Sequence, residues 1–241
     1  MSQITEGTLL GGKVTYRQFA SGHRSGFEPV LLAASVNAKP GELVLEAGSG
    51  AGAALLCLGH RVPGLSGTGI EIDPTLVTLA NENFKINGLN GMASLQGDAA
   101  RPPFGAIFQH AIANPPWFNP ASTKSPDEQR ALAHHSQPGL LAAWINGLTN
   151  CLHPRGRIYL ILPAASVSDA IIGLKTHKYG AITLFPLWPR AGQAAGQIIL
   201  TARRGSRAAD QCLPGLILHD ENGITTAANA ILRDGTAISM D

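Results

Sequence analysis

The stretch that joins an apolar run to a helical segment reads Leu43-Val44-Leu45-Glu46-Ala47-Gly48-Ser49-Gly50-Ala51-Gly52. The apolar run predicts a buried strand, and the glycines at alternate positions predict a tight turn before a helix over residues 53–60. Glycine permits positive φ and lets the backbone approach a ligand closely. The stretch therefore predicts a nucleotide-type cofactor turn at Gly48, Gly50 and Gly52, with a plain strand-to-helix connection as the alternative.

Acidic residues follow the next two predicted strands. Glu71 stands near the end of the strand over residues 67–73, 19 residues beyond the last glycine of the turn. An acid about 20 residues after such a turn hydrogen-bonds ribose hydroxyls in dinucleotide-binding folds. The third strand, residues 93–96, leads to Asp98 and Ala99, where a carboxylate could accept a hydrogen bond from the adenine amine of a cofactor. A surface turn is the alternative for Asp98.

The fourth predicted strand ends in Asn114-Pro115-Pro116-Trp117. The Asn114 side-chain oxygen and the Pro115 carbonyl can both accept N–H hydrogen bonds from an exocyclic amine, which directs the nitrogen lone pair outward for methyl transfer. Two prolines restrict the loop, so it loses little entropy on binding. The Trp117 ring offers a face on which an extruded base can stack. Taken alone, the four residues could also form an ordinary strand-ending turn with a core tryptophan.

The remaining pattern alternates between strand and helix, which predicts an α/β fold with a mostly parallel sheet. Asp73, before Pro74, fits the N-cap of a helix that ends near residue 87. The later predicted elements are a helix over 138–151, a strand over 156–163, a helix over 166–178 and strands over 181–187, 196–202 and 216–218. The last strands have little helix between them, which suits a closing antiparallel hairpin.

Four motifs at the ends of four successive strands resemble those of the class I S-adenosylmethionine-dependent methyltransferases that carry an Asn-Pro-Pro-aromatic motif. Within that class the chain resembles the bacterial valine tRNA adenosine-37 N6-methyltransferases. The resemblance extends to residues 16–19 and 27–33 near the start, residues 130–135 after Trp117, and residues 220–234 near the end. Members of the family more often have Tyr or Phe where Trp117 stands, and Asp near the position of Glu28.

The resemblance implies a Rossmann-like fold with a seven-stranded sheet, an N-terminal extension over residues 1–36 and a methyltransferase domain over residues 37–241. It implies S-adenosylmethionine as the cofactor and an RNA, in particular a tRNA, as the substrate. Asn114, Pro115, Pro116 and Trp117 are then the catalytic residues. The cofactor-binding residues that it implies are Glu46, Gly48, Gly50, Gly52, Glu71, Asp98, Ala99 and Asn114.

Several other functions fit the same motifs. Asn-Pro-Pro-aromatic loops also serve the guanine N2 amine of rRNA and the amide of a protein glutamine. A catalytically idle methyltransferase fold could bind RNA or a partner as a scaffold, and a glycine turn alone is also typical of nicotinamide-dependent oxidoreductases. Oligomeric state is left open by the sequence.

Composition and charge agree with a single domain in a reducing cytoplasm. The chain of 241 residues has three widely separated cysteines, Cys57, Cys151 and Cys212, which we expect to be buried thiols. No Cys-x-x-Cys pair suggests zinc, and no apolar run is long enough for a membrane span. The net charge of +2 permits RNA binding, and basic groups at Arg17–Arg24, Lys124–His135 and Arg203–Arg207 could contact phosphates. An ordinary solvated surface is the alternative for each group, and it is favoured for Arg203–Arg207.

Overall fold

The computed structural model describes residues 3–21, 26–116 and 139–240. Within these ranges the helices are α1 (Glu28–Ser35), α2 (Ala53–Arg61), α3 (Pro74–Ile86), α4 (Leu140–Cys151), α5 (Val167–Thr176) and α6 (Thr226–Asn229). The strands are β1 (Ile4–Leu9), β2 (Val14–Phe19), β3 (Leu43–Ala47), β4 (Ser66–Glu71), β5 (Met92–Gln96), β6 (Phe108–Ala113), β7 (Leu152–Pro163), β8 (Tyr179–Trp188), β9 (Gln197–Arg204), β10 (Gln211–Cys212), β11 (Leu216–Ile217), β12 (His219–Asp220) and β13 (Gly223–Ile224).

Seven strands form the body of the sheet in the order β5-β4-β3-β6-β7-β9-β8. Neighbours from β5 to β7 are parallel, and β9 runs antiparallel to both β7 and β8. The short strands β10 and β11 extend the β8 edge in parallel. The predicted Rossmann-like methyltransferase fold with its closing hairpin is therefore confirmed. The order changes direction between β3 and β6, which is where open α/β sheets bind ligands.

Two apolar layers cover the sheet. Helices α1 and α2 and one face of α3 pack on one side, where Leu32, Leu55 and Phe84 are buried. Helices α4 and α5 pack on the other side around Ile145 and Leu148. Strand β7 contributes to both layers, because successive side chains of a strand point to opposite faces. Residues 158–162 of β7 thus form a continuous apolar run, as expected for a strand that is covered on both faces.

The hairpin formed by β1 and β2 is attached to α3 by two asparagines. The Asn83 side chain accepts a hydrogen bond from the Arg17 amide at 3.0 Å and donates to the Arg17 and Ala51 carbonyls. Asn87 makes a similar pair of bonds with the backbone of Thr15. These side chains replace sheet partners for one edge of β2, and they bring the hairpin next to Ala51 in the glycine turn.

Local predictions are mostly confirmed, and one is wrong. Asp73 caps α3, since its Oδ1 accepts from the Thr75 amide at 2.8 Å. Cys57 and Cys151 are buried, whereas Cys212 is exposed. Cys212 lies in the two-residue strand β10 at the edge of the sheet, where neither helical layer covers it. Its apolar sequence neighbours were therefore a poor guide to its burial. No helix within the described ranges is long and apolar enough to cross a membrane.

Candidate active site

Strand register aligns the sequence motifs at the carboxyl edge of the sheet. Ala47, the last residue of β3, pairs with Ile70 of β4 and with Ala113 of β6. The chain therefore leaves these strands at the same level, at Gly48 in one case and Asn114 in the other. Motifs that are far apart in sequence become neighbours for this reason.

The glycine turn has the backbone conformation that its sequence predicts. Gly48, Gly50 and Gly52 have φ values of +67°, +53° and +85°. A Cβ at Gly48 would lie 2.5 Å from the Trp144 ring, and a Cβ at Gly52 would lie 2.7 Å from the Phe84 ring. At Gly50 a Cβ would meet nothing within 4 Å. Two of the glycines are therefore required by protein packing, and the middle one borders open space.

Glu71 is fixed by backbone amides on both sides of its carboxylate. Its Oε2 accepts from the Gly50 amide at 2.9 Å, and its Oε1 accepts from the Asp73 amide at 3.1 Å. Each carboxylate oxygen has a second lone pair, so Glu71 can still accept hydrogen bonds from a ligand. The carboxylate thus joins the glycine turn of β3 to the end of β4.

Asp98 and Ala99 lie in the turn that follows β5. Asp98 is exposed, and its Oδ1 accepts from the Ala100 amide at 2.8 Å. Ala99 is buried, and a Cβ on Gly147 would lie 2.7 Å from its carbonyl oxygen. Helix α4 therefore packs directly against this turn, which fixes the position of the Asp98 carboxylate at the edge.

Glu46 is buried within β3. Burial raises the pKa of its carboxyl well above the usual range, although a hydrogen bond with the Leu55 amide opposes the shift and Glu71 adds to it. Its Oε2 has no hydrogen-bond partner among the described residues. An unpaired buried carboxyl oxygen is costly, so it favours a ligand or water that donates a hydrogen bond.

Asn114, Pro115 and Pro116 follow β6 directly. Pro115 is buried, whereas Asn114 and Pro116 are partly exposed at the carboxyl edge. Trp117 lies outside the described residues, as do Lys124, Arg130, His134 and His135. The predicted carbonyl acceptor and the predicted side-chain acceptor are therefore adjacent to the glycine turn, and the predicted stacking residue is not described.

Three residues near the site were missed by sequence reasoning. Trp144 covers Gly48 from α4, and the hydroxyls of Ser49 and Ser94 lie 3.1 Å apart beneath the turn. Ser49 also approaches the Cα of Gly69, where a Cβ would lie 2.5 Å from its hydroxyl. Trp144 falls within the predicted helix over residues 138–151, but nothing in the sequence linked it to the turn.

The residues at this edge fit S-adenosylmethionine. The cofactor has ribose hydroxyls, an adenine amine and positively charged sulfonium and ammonium groups. Glu71 and Asp98 offer hydrogen-bond acceptors, Glu46 offers a buried carboxyl oxygen without a described partner, and Gly50 leaves room for a ligand against the backbone. Among the described residues no cluster of His, Cys, Asp or Glu could hold a metal ion.

Solved structures with the same fold include methyltransferases. A predicted O-methyltransferase of Agrobacterium tumefaciens superposes with a TM-score of 0.71 at 22% identity, covering 87% of this chain and 96% of that one. A geranyl diphosphate methyltransferase in complex with S-adenosylmethionine superposes with a TM-score of 0.53 at 14% identity, covering 72% of this chain and 82% of that one. These likenesses confirm the fold.

Sequence comparison identifies the family, although no family model matches the chain. A protein of Vibrio vulnificus named tRNA1(Val) (adenine(37)-N6)-methyltransferase is 30% identical over 166 residues, which are 66% of this chain and 69% of the relative. Relatives from Shewanella baltica and Vibrio campbellii have the same name. The chain is therefore a methyltransferase, and it belongs to the family of the bacterial tRNA1(Val) (adenine(37)-N6)-methyltransferases.

Proposed function

We propose that this protein transfers a methyl group from S-adenosylmethionine to N6 of an adenine in a tRNA, at position 37 of a valine tRNA as in the names of its relatives. The observation that carries the proposal is the pairing of Ala47 with Ala113. It sets Asn114 and Pro115 level with the glycine turn. Cofactor residues and amine-binding residues therefore share one edge of the sheet.

The cofactor supplies an electrophilic methyl group on a sulfonium sulfur. Gly50 leaves the backbone of the turn accessible to it, while Gly48 and Gly52 set the shape of the turn. Glu71 accepts from the ribose hydroxyls, and Asp98 accepts from the adenine amine. The Glu46 oxygen that has no partner in the described part of the chain offers a hydrogen-bond acceptor close to the turn. All four features come from the ends of β3, β4 and β5, so the sheet prearranges them.

Asn114 and Pro115 hold the target amine. The Asn114 Oδ1 accepts one N6 hydrogen and the Pro115 carbonyl oxygen accepts the other, which shifts the nitrogen toward tetrahedral geometry. The lone pair of N6 then points away from the conjugated ring, toward the methyl group. That methyl group would leave the sulfonium sulfur as the carbon–nitrogen bond forms, and the methylated nitrogen would then release one proton to water. Acceptors that strengthen their bonds as the amine becomes positive stabilise the transition state more than the ground state.

Trp117 is the residue that we propose for base stacking. Adenine must leave its stack before N6 can reach the edge, and a new aromatic contact worth about 1 to 3 kcal/mol offsets part of that cost. Pro116 restricts the backbone between the amine-binding residues and Trp117, which limits the entropy lost on binding.

The direct test uses purified protein, radiolabelled S-adenosylmethionine and total RNA from a bacterium that lacks this gene. After digestion, the labelled nucleoside is identified separately in the tRNA, rRNA and protein fractions. The proposal predicts N6-methyladenosine in tRNA. Label in N2-methylguanosine would contradict the proposal and indicate guanine N2 as the methylated amine. Label in protein that persists after RNase treatment would contradict it and indicate a protein amide.

A further inference from the structure

Positive charge is concentrated in one segment of the chain. Residues 151–207 contain eight Lys and Arg and one acidic residue, Asp169, a net charge of +7. The rest of the chain contains ten Lys and Arg and fifteen Asp and Glu, a net charge of −5, which together give the total of +2. The modest overall charge therefore conceals a strongly basic region beside an acidic one.

The fold gathers most of this charge at the amino edge of the sheet, opposite the candidate active site. Arg157 of β7 pairs with Arg203 near the end of β9. Lys178 directly precedes β8, and its carbonyl accepts from the Gly205 amide at 2.9 Å. Arg155 lies in β7 two residues before Arg157, and Arg207 follows the end of β9 by three residues. We call the four exposed cations Arg155, Lys178, Arg203 and Arg207 the basic edge.

Neighbouring cations have structural partners. Arg204 donates to the carbonyls of Thr149 and Leu152 at 2.9 and 2.7 Å, so it caps the end of α4. Lys175 forms an ion pair with Asp210 at 2.8 Å. No ion pair within the described part of the chain includes a residue of the basic edge. These four side chains therefore remain available to an anionic partner.

The arrangement of the basic edge favours an anionic ligand over a simple solvated surface. Arg155, Lys178, Arg203 and Arg207 bring four exposed like charges to one edge, and like charges that are held close together repel each other. An anion bound among them relieves that repulsion. Arginine also binds phosphate in a planar, bidentate geometry. A row of such groups matches the repeating phosphates of a nucleic-acid backbone.

We propose that the basic edge binds backbone phosphates of the substrate RNA at a site remote from the methylated nucleotide. The inference rests on the proposed function for the identity of that RNA. Six residue steps of β7 separate Arg157 from the carboxyl edge, roughly 20 Å at about 3.3 Å per residue. Helices cover both faces of the sheet, so an RNA must pass around them and its path between the edges is longer than this straight distance. Only an RNA that extends well past the methylated loop can reach both edges. The edge thus selects a whole tRNA over a short stem-loop.

The test compares two double variants with equal loss of charge. R203Q/R207Q removes two cations of the basic edge, whereas K85Q/R233Q removes two exposed cations elsewhere. Binding of fluorescently labelled whole tRNA is measured by anisotropy at several salt concentrations, and the KM and kcat of methylation are measured for whole tRNA and for an anticodon stem-loop. A third variant, R155Q/K178Q, repeats the comparison away from β9.

For R203Q/R207Q we expect the Kd for whole tRNA to rise about 10-fold, and the slope of log Kd against log salt to fall by about 1.5, as for two lost phosphate contacts. The kcat and the stem-loop KM should stay within twofold of the wild type, as should all parameters of K85Q/R233Q. An unchanged salt slope in both basic-edge variants would overturn the inference, as would equal losses on stem-loop and whole tRNA.

Failure of the proposed function gives a different result. If the wild-type protein methylates no RNA but binds tRNA with an affinity that depends on the basic edge, the edge is supported and the proposed reaction is wrong. If the wild-type protein neither methylates nor binds tRNA, both proposals are wrong. Circular dichroism of each variant verifies folding, which exposed substitutions should not change.

Discussion

The two edges of the same sheet present their polar side chains in different ways. At the carboxyl edge, carboxylates such as Glu71 and Asp98 are held by backbone amides, and glycines set the shape of the turn. At the amino edge, long exposed side chains of Arg203 and Arg207 present charge without a fixed hydrogen-bond network. The first edge therefore depends on geometry, and the second depends on charge density. Substitutions at the two edges should change different measured quantities.

The largest effect is expected for Asn114→Ala at the carboxyl edge. Removing one acceptor of the target amine should lower kcat about 10²- to 10³-fold, the range seen when an enzyme loses one such hydrogen bond. The Kd for S-adenosylmethionine, measured by calorimetry, should change less than about threefold, since one edge residue among many is lost. Asn90→Ala, at an exposed position, is the control. Lost cofactor binding with normal turnover of the bound fraction would contradict the assignment.

Gly48→Ala tests whether the shape of the turn is set by packing. Gly48 and Gly88 both have φ of +67°, but a Cβ meets the Trp144 ring at Gly48 and nothing within 4 Å at Gly88. Left-handed backbone costs a side chain about 1 to 2 kcal/mol, and overpacking adds about 1 to 3 kcal/mol. Urea unfolding should therefore show a larger loss for Gly48→Ala than for Gly88→Ala.

A second substitution sharpens that comparison. The stability lost through Gly48→Ala should be smaller in a Trp144→Leu background than in the wild type, because the ring that the new Cβ would meet has been removed. The stability lost through Gly88→Ala should be the same in both backgrounds. Equal losses for the two glycine variants would show that backbone conformation alone accounts for the effect.

Glu71→Gln tests the amide-bound carboxylate. Both Glu71 oxygens accept backbone N–H groups, so a glutamine would place its NH₂ group against either the Gly50 or the Asp73 amide. We expect the Kd for S-adenosylmethionine to rise about 10-fold, since one misplaced hydrogen bond costs roughly 1 to 3 kcal/mol. Glu82→Gln is the matched control on the exposed face of α3. Calorimetric titration with S-adenosylmethionine measures the Kd of both variants. Equal affinities would exclude a role for Glu71 in cofactor binding.

The smallest effect concerns His110 and Glu42, whose Nε2 and Oε2 atoms lie 2.9 Å apart. Burial lowers the pKa of His110 more than Glu42 raises it. Burial by itself raises the pKa of Glu42, but hydrogen bonds from His110 and the Lys39 amide outweigh it, so that pKa is also lowered. We infer a neutral His110 that donates from Nε2 to the Glu42 carboxylate.

Both shifts give the same sign for the dependence of stability on pH. A group with a lowered pKa in the folded state stabilises fully above its unfolded pKa, and this contribution is lost as the pH falls. For His110 the loss begins near pH 6.5, the ordinary histidine value. The free energy of unfolding should decrease less from pH 7 to pH 5 in His110→Gln than in the wild type. His177→Gln should retain the wild-type profile, and identical profiles for all three proteins would contradict this account.

The backbone of the carboxyl edge could be predicted from the sequence because its signals are local. Each signal indicates the backbone conformation of its own segment. These signals are the glycines that need positive φ, the acid at a fixed spacing and the proline pair after an apolar run. Strand order then brought them together. The contacts of Ser49 with Ser94 and of Gly48 with Trp144 join residues 45 and 96 positions apart, so no local pattern could indicate them.

The basic edge was harder to predict because one residue step along a strand reverses the side-chain direction. Arg203 and Arg204 read alike in the sequence, yet Arg204 donates to carbonyls at the end of α4 while Arg203 is exposed beside Arg157. The exposed Cys212 has the same explanation, since burial at an edge strand depends on which layer covers it. Register and layer coverage are products of the whole fold.

The most direct measurement compares methylation of two valine tRNA transcripts that differ only in having adenine or guanine at position 37. Wild-type protein and Asn114→Ala are each incubated with labelled S-adenosylmethionine, and the label is mapped to the nucleotide. We predict that N6-methyladenosine forms at position 37 only when wild-type protein is incubated with the adenine transcript. Equal label in both transcripts, or undiminished label with Asn114→Ala, would contradict the assignment of this edge as the amine-methylating site.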